Sequence, residues 1–130
     1  MQILIDHNIE GFAPLLLGVL AKEGWVELLQ LRFIYFSETI LPANSDDTTV
    51  WRYAQNAGMI LLTSNRNRHD NTSLQATIER ENHPSALPVI TLSHPEHLWV
   101  SAYRLQVALK IAEIIIYLDH YRGTGRLFVP

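Results

Sequence analysis

Three short polar segments of this chain carry residue types that suit metal and phosphate chemistry. Segment 6–8 reads Asp-His-Asn, segment 45–47 reads Ser-Asp-Asp, and segment 63–67 reads Thr-Ser-Asn-Arg-Asn. The first and the third follow directly on short apolar runs, at residues 3–5 and 59–62. An abrupt change from apolar to polar residues is typical of a buried strand that ends at a functional loop.

The carboxylates of these segments predict a cation site. Neighbouring carboxylates repel each other, and the arrangement persists when a cation such as Mg²⁺ or Mn²⁺ takes up the charge. Asp6 and Asp46 are the first candidates for metal ligands, with Asp47 and Asp70 as further oxygen donors. Such a cation polarises a phosphodiester and lowers the pKa of its bound water. The alternatives are that Asp46 only caps a helix and that Asp6 only closes a turn.

Neutral polar residues surround the acids in sequence. Asn65 and Asn67 can complete a metal shell or bind phosphate through their amides, so they join Asp6 and Asp46 in the predicted catalytic set. Amides do not balance the charge of a cation, and asparagines are also common in plain turns. The residues expected to contact a substrate are Asn8, Thr63, Arg66 and Arg68.

Several other chemistries are disfavoured by composition and spacing. The chain has no cysteine, which excludes a thiolate zinc site and a cysteine nucleophile. Its histidines show no pair at metal-binding helical spacing with a third ligand, which disfavours a histidine-based zinc site. Neither a phosphate-binding Gly-rich loop nor a nucleophile elbow is present, which argues against a nucleotide switch, a dehydrogenase and a hydrolase triad.

Length and charge set the broad class of protein. A chain of 130 residues with 48% hydrophobic and 18% charged residues fits one folded domain. With a net charge of −3 and only two lysines, the chain lacks the overall positive charge of a duplex-DNA binder. Any contact with nucleic acid must therefore be local. We expect a cytoplasmic protein, because the sequence has neither an apolar run long enough to span a membrane nor a secretion signal.

Hydrophobic periodicity alternates between strand and helix along the chain. The predicted strands are 3–5, 25–36, 59–62, 87–92 and a last edge strand at 127–129. The predicted helices are 9–22, one that begins at Ser45 or Asp46 and ends at Gly58, one from Thr72 or Ser73 to Glu81, and a long one over 96–120. This order predicts a mostly parallel α/β sheet with helices on both faces. Ligands of such sheets bind beyond the carboxyl ends of the strands, where the strand order reverses.

The ordered set of three polar segments resembles the small stand-alone PIN-like domains related to toxin ribonucleases. The family pattern has Asp-Glu-Asn near the start, Ser-Asp-Glu/Asp at a middle helix and Thr-x-Asp-x-Asp after a later strand. The corresponding segments here are 6–8, 45–47 and 63–67, so the resemblance covers about the first seventy residues. His7 stands where the family has an acid, and Asn65 and Asn67 stand where it usually has carboxylates.

The resemblance implies a Rossmann-like PIN fold, a divalent metal held by clustered acids, and cleavage of single-stranded RNA by metal-activated water. In these terms Asp6 and Asp46 match acidic metal positions, with Asp47 beside them. A rival interpretation is a degenerate PIN-like domain that binds RNA or a protein partner without cutting. If the chain is toxin-like, a further expected partner is an antitoxin-like protein inhibitor. A second copy of the chain is another possible partner, through the aromatic segment 33–36, which is equally suited to a buried strand.

Overall fold

A computed structural model of the chain, which describes residues 1–66 and 70–130, shows a parallel α/β sheet flanked by helices. The strands are β1 (Gln2–Ile5), β2 (Arg32–Tyr35), β3 (Ile60–Thr63), β4 (Val89–Leu92) and β5 (Arg126–Val129). The helices are α1 (Ala13–Lys22), α2 (Trp25–Leu28), α3 (Asp47–Ala57), α4 (Leu74–Glu81), α5 (Ser101–Ile116) and α6 (Leu118–Tyr121), with short 3-10 segments at His7–Ile9, Phe36–Glu38 and Pro95–Trp99. The predicted α/β class with a parallel sheet is therefore confirmed.

The strand order β2-β1-β3-β4-β5 contains one reversal. All four strand pairs are parallel, and β1 lies between β2 on one side and β3 on the other. From β1 the chain goes to β2 on one side. After β2 it crosses to β3 on the other side of β1, and it continues from there to β4 and β5. The switch point lies between β1 and β3, which places their carboxyl ends side by side.

Alternate residues of the central strands pack into two separate cores. Ile3 and Ile5 of β1 lie in one core with α1 and α5, whereas Leu4 faces the other core with α3 and α4. The same alternation holds for Ile60, Leu61 and Leu62 in β3. Because a strand that is buried on both faces must be apolar at every position, these strands read as continuous apolar runs in the sequence.

The helix that begins near Asp46 follows the sequence signals closely. The Asp46 carboxylate caps α3 by accepting a hydrogen bond from the Thr49 N–H at 2.8 Å. Gly58 ends the helix in the left-handed conformation, with φ 69°. Ser73, rather than Thr72, caps α4 by accepting from the Ala76 N–H at 3.1 Å.

The predicted strand over 25–36 is wrong for its first half. Gly24 adopts φ 84°, and the residues after it form the single turn of α2 before extended structure starts at Arg32. Arg32 pairs with Gln2, the first residue of β1. Residues before Arg32 have no neighbouring strand to pair with, so the alternation of their side chains does not produce a strand.

The aromatic segment 33–36 is not an exposed dimer surface. Phe33, Ile34 and Phe36 are buried, and Tyr35 is half-buried. The buried-strand alternative for this segment is the correct one.

Two predicted helices begin later than expected. The helix predicted over 9–22 begins at Ala13, and the one predicted over 96–120 is divided into a 3-10 turn, α5 and α6. Leu105 and Leu109 of α5 are apolar and lie four residues apart, yet they are 36% and 44% exposed. Helix α5 is apolar around most of its circumference, so periodicity alone does not define the face that meets the sheet.

None of the helices formed by the described residues has the length and apolarity that a membrane crossing requires.

Candidate functional site

The candidate site lies at the switch point, where β1 and β3 end beside each other. The Asp6 backbone N–H donates to the Leu62 carbonyl at 2.9 Å, which continues the pairing of the two strands to their last residues. Leu4 and Leu61 face α3 and α4, so the strand alternation points Asp6 and Thr63 toward the same two helices. The side chains at the carboxyl ends of the two strands on this face, Asp6 and Thr63, are therefore polar.

A short hydrogen bond joins Asp6 to Thr63. The Thr63 hydroxyl is buried and donates to Asp6 Oδ2 at 2.6 Å. The same oxygen of Thr63 accepts a hydrogen bond from the Asn65 backbone N–H at 2.9 Å. Thr63 thus fixes the Asp6 carboxylate and the turn after β3 at once.

Asp47 meets this turn from the start of α3. The Asn65 side-chain amide donates to Asp47 Oδ2 at 2.8 Å, and the Leu74 backbone N–H donates to the same oxygen at 3.0 Å. The contacts form a continuous polar chain of Asp6, Thr63, Asn65 and Asp47. It draws the N-termini of α3 and α4 together at the end of the sheet, where their positive dipole ends favour negative charge.

Burial and the neighbouring acid both act on the Asp6 carboxyl. Burial raises the pKa of the Asp6 carboxyl above its ordinary value, and the negative charge of Asp47 raises it further. The hydrogen bonds from the Thr63 hydroxyl and the His7 backbone N–H oppose this rise in pKa without cancelling it. Asp6 therefore holds its proton more strongly than an exposed aspartate does.

Asp46 is placed differently from its predicted role as a metal ligand. Its carboxylate is exposed and caps α3, and the hydrogen bonds from Thr49 lower its pKa. The acid of this segment that reaches the polar chain is Asp47. The contacts of Asp46 are those of a helix N-cap, which was the alternative to its role as a metal ligand.

The other residues predicted for the site are one acid, two amides and one arginine, and they are not all found together. Asp70 is exposed and accepts hydrogen bonds from the Thr72 N–H and hydroxyl, both at 3.1 Å, so its contacts lie within its own turn rather than with Asp6 or Asp47. Asn8 Oδ1 accepts from the Ser64 N–H at 3.5 Å and lies at the rim of the site. Asn67 and Arg68 lie outside the described residues.

Arg126 is a part of the site that the sequence did not reveal. Its guanidinium donates through Nη1 to the Asn65 carbonyl at 2.6 Å and to the Thr91 hydroxyl at 2.9 Å, and through Nε to Gln75 Oε1 at 3.1 Å. Arg126 pairs with Val89, the first residue of β4, and its long side chain extends along β4 to Thr91 and Asn65. No pattern within residues 126–129 indicates this reach.

Arg66 and Phe128 form the outer edge of the site. The Arg66 guanidinium lies 5.4 Å from the centre of the Phe128 ring, and that of Arg126 lies 5.7 Å from it. Arg66 is exposed, and Phe128 is 42% exposed. A cation and an aromatic face are thus available beside the polar chain.

The donor atoms of the polar chain suit a hard cation. Its carboxylates and amides offer oxygen ligands, and Mg²⁺ is commonly bound through one or two carboxylates together with water and phosphate. The hydrogen bonds that Asp47 accepts from the described residues fall on Oδ2, so Oδ1 is the oxygen that would bind an ion. Asp6 and Asp47 therefore fit such an ion, although the predicted pair was Asp6 and Asp46.

A different group of metal-ligand types appears elsewhere. Within residues 1–66 and 70–130, three His, Asp or Glu side chains with ligand atoms within 4.8 Å of one another are found at His94, Glu96 and His97. The acids predicted as metal ligands do not form such a group of three in the same part of the chain. Histidine spacing in the sequence indicated no third ligand for a histidine pair. In the structure, Glu96 takes that place beside His94 and His97.

No protein-family model matches the chain, and searches of curated proteins and of solved structures gave no significant match. The fold and the site define a Rossmann-like α/β domain with a carboxylate-containing polar site at the switch point of its sheet.

Proposed function

We propose that this chain is a PIN-like domain that hydrolyses phosphodiester bonds in single-stranded RNA with the help of Mg²⁺ or Mn²⁺. The observation that carries the proposal is the polar chain from Asp6 through Thr63 and Asn65 to Asp47 at the switch point. Two acids from distant parts of the sequence meet there, at the place where parallel α/β sheets bind their ligands.

Asp6 and Asp47 are the residues that would hold the cation, in place of the pair Asp6 and Asp46. When bound, such an ion polarises a phosphodiester and lowers the pKa of a water molecule. Thr63 keeps the Asp6 carboxylate in one orientation, and Asn65 does the same for Asp47. Fixed ligand orientation matters because weakly held carboxylates lose metal affinity.

Arg66, Phe128 and Asn8 support RNA as the substrate. An exposed guanidinium can neutralise a phosphate, and a half-exposed aromatic ring can stack with an unpaired base. Asn8 lies at the rim beside Ser64, where its amide can donate to a phosphate oxygen. These contacts are local, as the net charge of −3 requires.

The two neighbouring acids of α3 provide a matched test. We expect Asp47→Asn to lower the turnover of a fluorescent single-stranded RNA in Mn²⁺ by at least a hundredfold, and Asp6→Asn to do the same. Asp46→Asn removes one negative charge from the adjacent position and retains capping ability, so its turnover should stay within threefold of the wild type. Equal turnover in all four proteins, or turnover that persists in excess EDTA, would contradict the proposal.

A second candidate function is RNA binding without cleavage. It is favoured by Asn65, which stands at a position where the PIN-like pattern usually has a carboxylate. The Asn65 amide instead donates a hydrogen bond to Asp47. The two functions differ in one result. A binding-only domain would retain RNA in a gel-shift assay and lose affinity on Arg66→Ala, yet show no turnover at any Mg²⁺ or Mn²⁺ concentration.

The proposed setting is the cytoplasm, where a protein inhibitor of the toxin-antitoxin type would be the expected partner and a homodimer an alternative one. The absence of cysteine agrees with a reducing compartment. An inhibitor that covers the site should protect Asp6 and Asp47 chemically, so carbodiimide labelling of these residues in a purified complex would test its position.

A further inference from the structure

A second cluster of ligand atoms follows the carboxyl end of β4. His94 Nδ1 lies 3.4 Å from Glu96 Oε1, and His97 Nε2 lies 3.8 Å from the same oxygen. The three ligand atoms lie within 4.8 Å of one another. Both histidine side chains are 54% exposed and that of Glu96 is 62% exposed, so solvent ions can reach all three.

The local backbone holds the three side chains on one turn. Pro95 begins the 3-10 segment Pro95–Trp99 and fixes its own φ, and the His97 N–H donates to the His94 carbonyl at 3.0 Å. Leu98 is completely buried in the core with α1 and α5, which anchors the turn to the domain. The cluster is therefore carried by ordered backbone.

The two imidazole rings of the cluster also lie face to face. The His94 and His97 rings are stacked, with centroids 4.9 Å apart and an angle of 24° between their planes. The Tyr103 and His97 rings are nearly perpendicular, with centroids 5.3 Å apart, and this contact restricts the rotation of the His97 imidazole. Part of the side-chain entropy that a bound ion would otherwise remove is already lost.

We propose that His94, Glu96 and His97 form a binding site for a transition-metal ion of the Zn²⁺ class, separate from the carboxylate pair at the switch point. Metal–ligand bonds of about 2.0–2.1 Å in a tetrahedral shell place ligand atoms roughly 3.3–3.4 Å apart. The two separations from Glu96 are 3.4 and 3.8 Å, and side-chain rotation has to bring all three ligand atoms, which lie within 4.8 Å of one another, to that value. Two imidazoles and one carboxylate leave a fourth position open to water, as in catalytic zinc sites.

The ligand types select the ion. Imidazole nitrogen favours Zn²⁺, Ni²⁺, Co²⁺ and Cu²⁺, whereas Mg²⁺ and Mn²⁺ favour sites made of oxygen ligands. Asp6 and Asp47 supply oxygen alone, so the two sites should take different ions. The proposal does not depend on the ribonuclease activity.

Isothermal titration of tag-free protein with Zn²⁺ at pH 7.5 tests the site. We expect one ion per chain, an affinity that falls at least tenfold in His94→Ala and in His97→Ala, and a smaller loss in Glu96→Gln. His83→Ala is the matched control, because His83 is also exposed but lies before β4 rather than after it. The control should bind Zn²⁺ within twofold of the wild type.

The same titration in 10 mM Mg²⁺ should give an unchanged Zn²⁺ affinity, since Mg²⁺ does not compete for imidazole ligands. The proposal is overturned if the wild type binds no Zn²⁺ at 100 µM. It is also overturned if the double variant His94→Ala/His97→Ala binds as tightly as the wild type, because the ion would then occupy another site. Circular dichroism of each variant checks that an affinity loss does not come from unfolding.

Discussion

Replacement of Asp47 by alanine should lower the free energy of unfolding more than replacement of the adjacent Asp46. Asp47 is half-buried and accepts two hydrogen bonds, from the Asn65 amide at 2.8 Å and from the Leu74 N–H at 3.0 Å. Asp46 is exposed and is hydrogen-bonded only by Thr49 among the described residues, with the Thr49 N–H at 2.8 Å. The two carboxylates differ by one residue in the sequence and by their surroundings in the fold.

The expected costs follow from these contacts. A hydrogen bond to a charged acceptor contributes about 1.5–3 kcal/mol. Water can replace part of the two bonds at the half-buried Asp47, so Asp47→Ala should lower the free energy of unfolding by about 2–4 kcal/mol. Loss of an exposed N-cap typically costs about 1 kcal/mol, and this is the effect expected for Asp46→Ala.

Urea denaturation followed by circular dichroism at pH 7 measures both values. Asp119→Ala is the control, because the Asp119 side chain is 93% exposed and surface substitutions usually change stability by less than about 0.5 kcal/mol. An equal or larger loss in Asp46→Ala than in Asp47→Ala would refute the assignment of Asp47 to the polar chain. Unchanged m-values would show that the denatured states are comparable.

Three more predictions follow from single contacts. The raised pKa of Asp6 means that the folded state binds its proton more strongly than the unfolded state. The contribution of this group to stability therefore falls as pH rises from the ordinary Asp pKa through the raised value. Asp6→Asn should flatten this part of the profile of unfolding free energy against pH, and an unchanged profile would contradict it. Thr48 and Thr77 share a buried hydrogen bond of 2.6 Å, and Thr77 also donates to a backbone carbonyl at 2.9 Å. Thr77→Val leaves the Thr48 hydroxyl without this acceptor, so thermal denaturation should show a loss of about 1–3 kcal/mol, larger than that of Thr48→Val. Arg126→Met should cost about 2–4 kcal/mol in urea denaturation because three charge-assisted hydrogen bonds are lost. Arg126→Lys should recover only part of this stability, since an ammonium cannot reproduce the guanidinium fork.

The strands that flank the switch point were predictable because their signals are local. Residues 3–5 and 60–62 are apolar at every position, and each run stops at a polar residue. Burial on both sheet faces requires such runs, so the sequence indicates both the strands and their carboxyl ends. The capping pattern at Asp46 is equally local, since it involves a side chain and a backbone N–H three residues later.

Segment 25–36 and helix α5 show where local signals fail. Strand length at β2 is set by the pairing of Arg32 with Gln2, a contact between residues far apart in the sequence. The buried face of α5 is set by the cores that meet it, because the helix is apolar on most sides. Neither contact leaves a pattern within the segment itself.

Sequence alone therefore determined the class of fold, the strand ends at which a site forms, and the presence of acids near those ends. Only the tertiary structure decided which acids meet. Asp46 is the extended N-cap and turns its carboxylate back onto the Thr49 N–H, whereas Asp47 is the first helical residue of α3 and contacts Asn65. Arg126 joined the site for a similar reason, because the pairing of β5 with β4 carries its side chain to Thr91 and Asn65 from the far end of the chain.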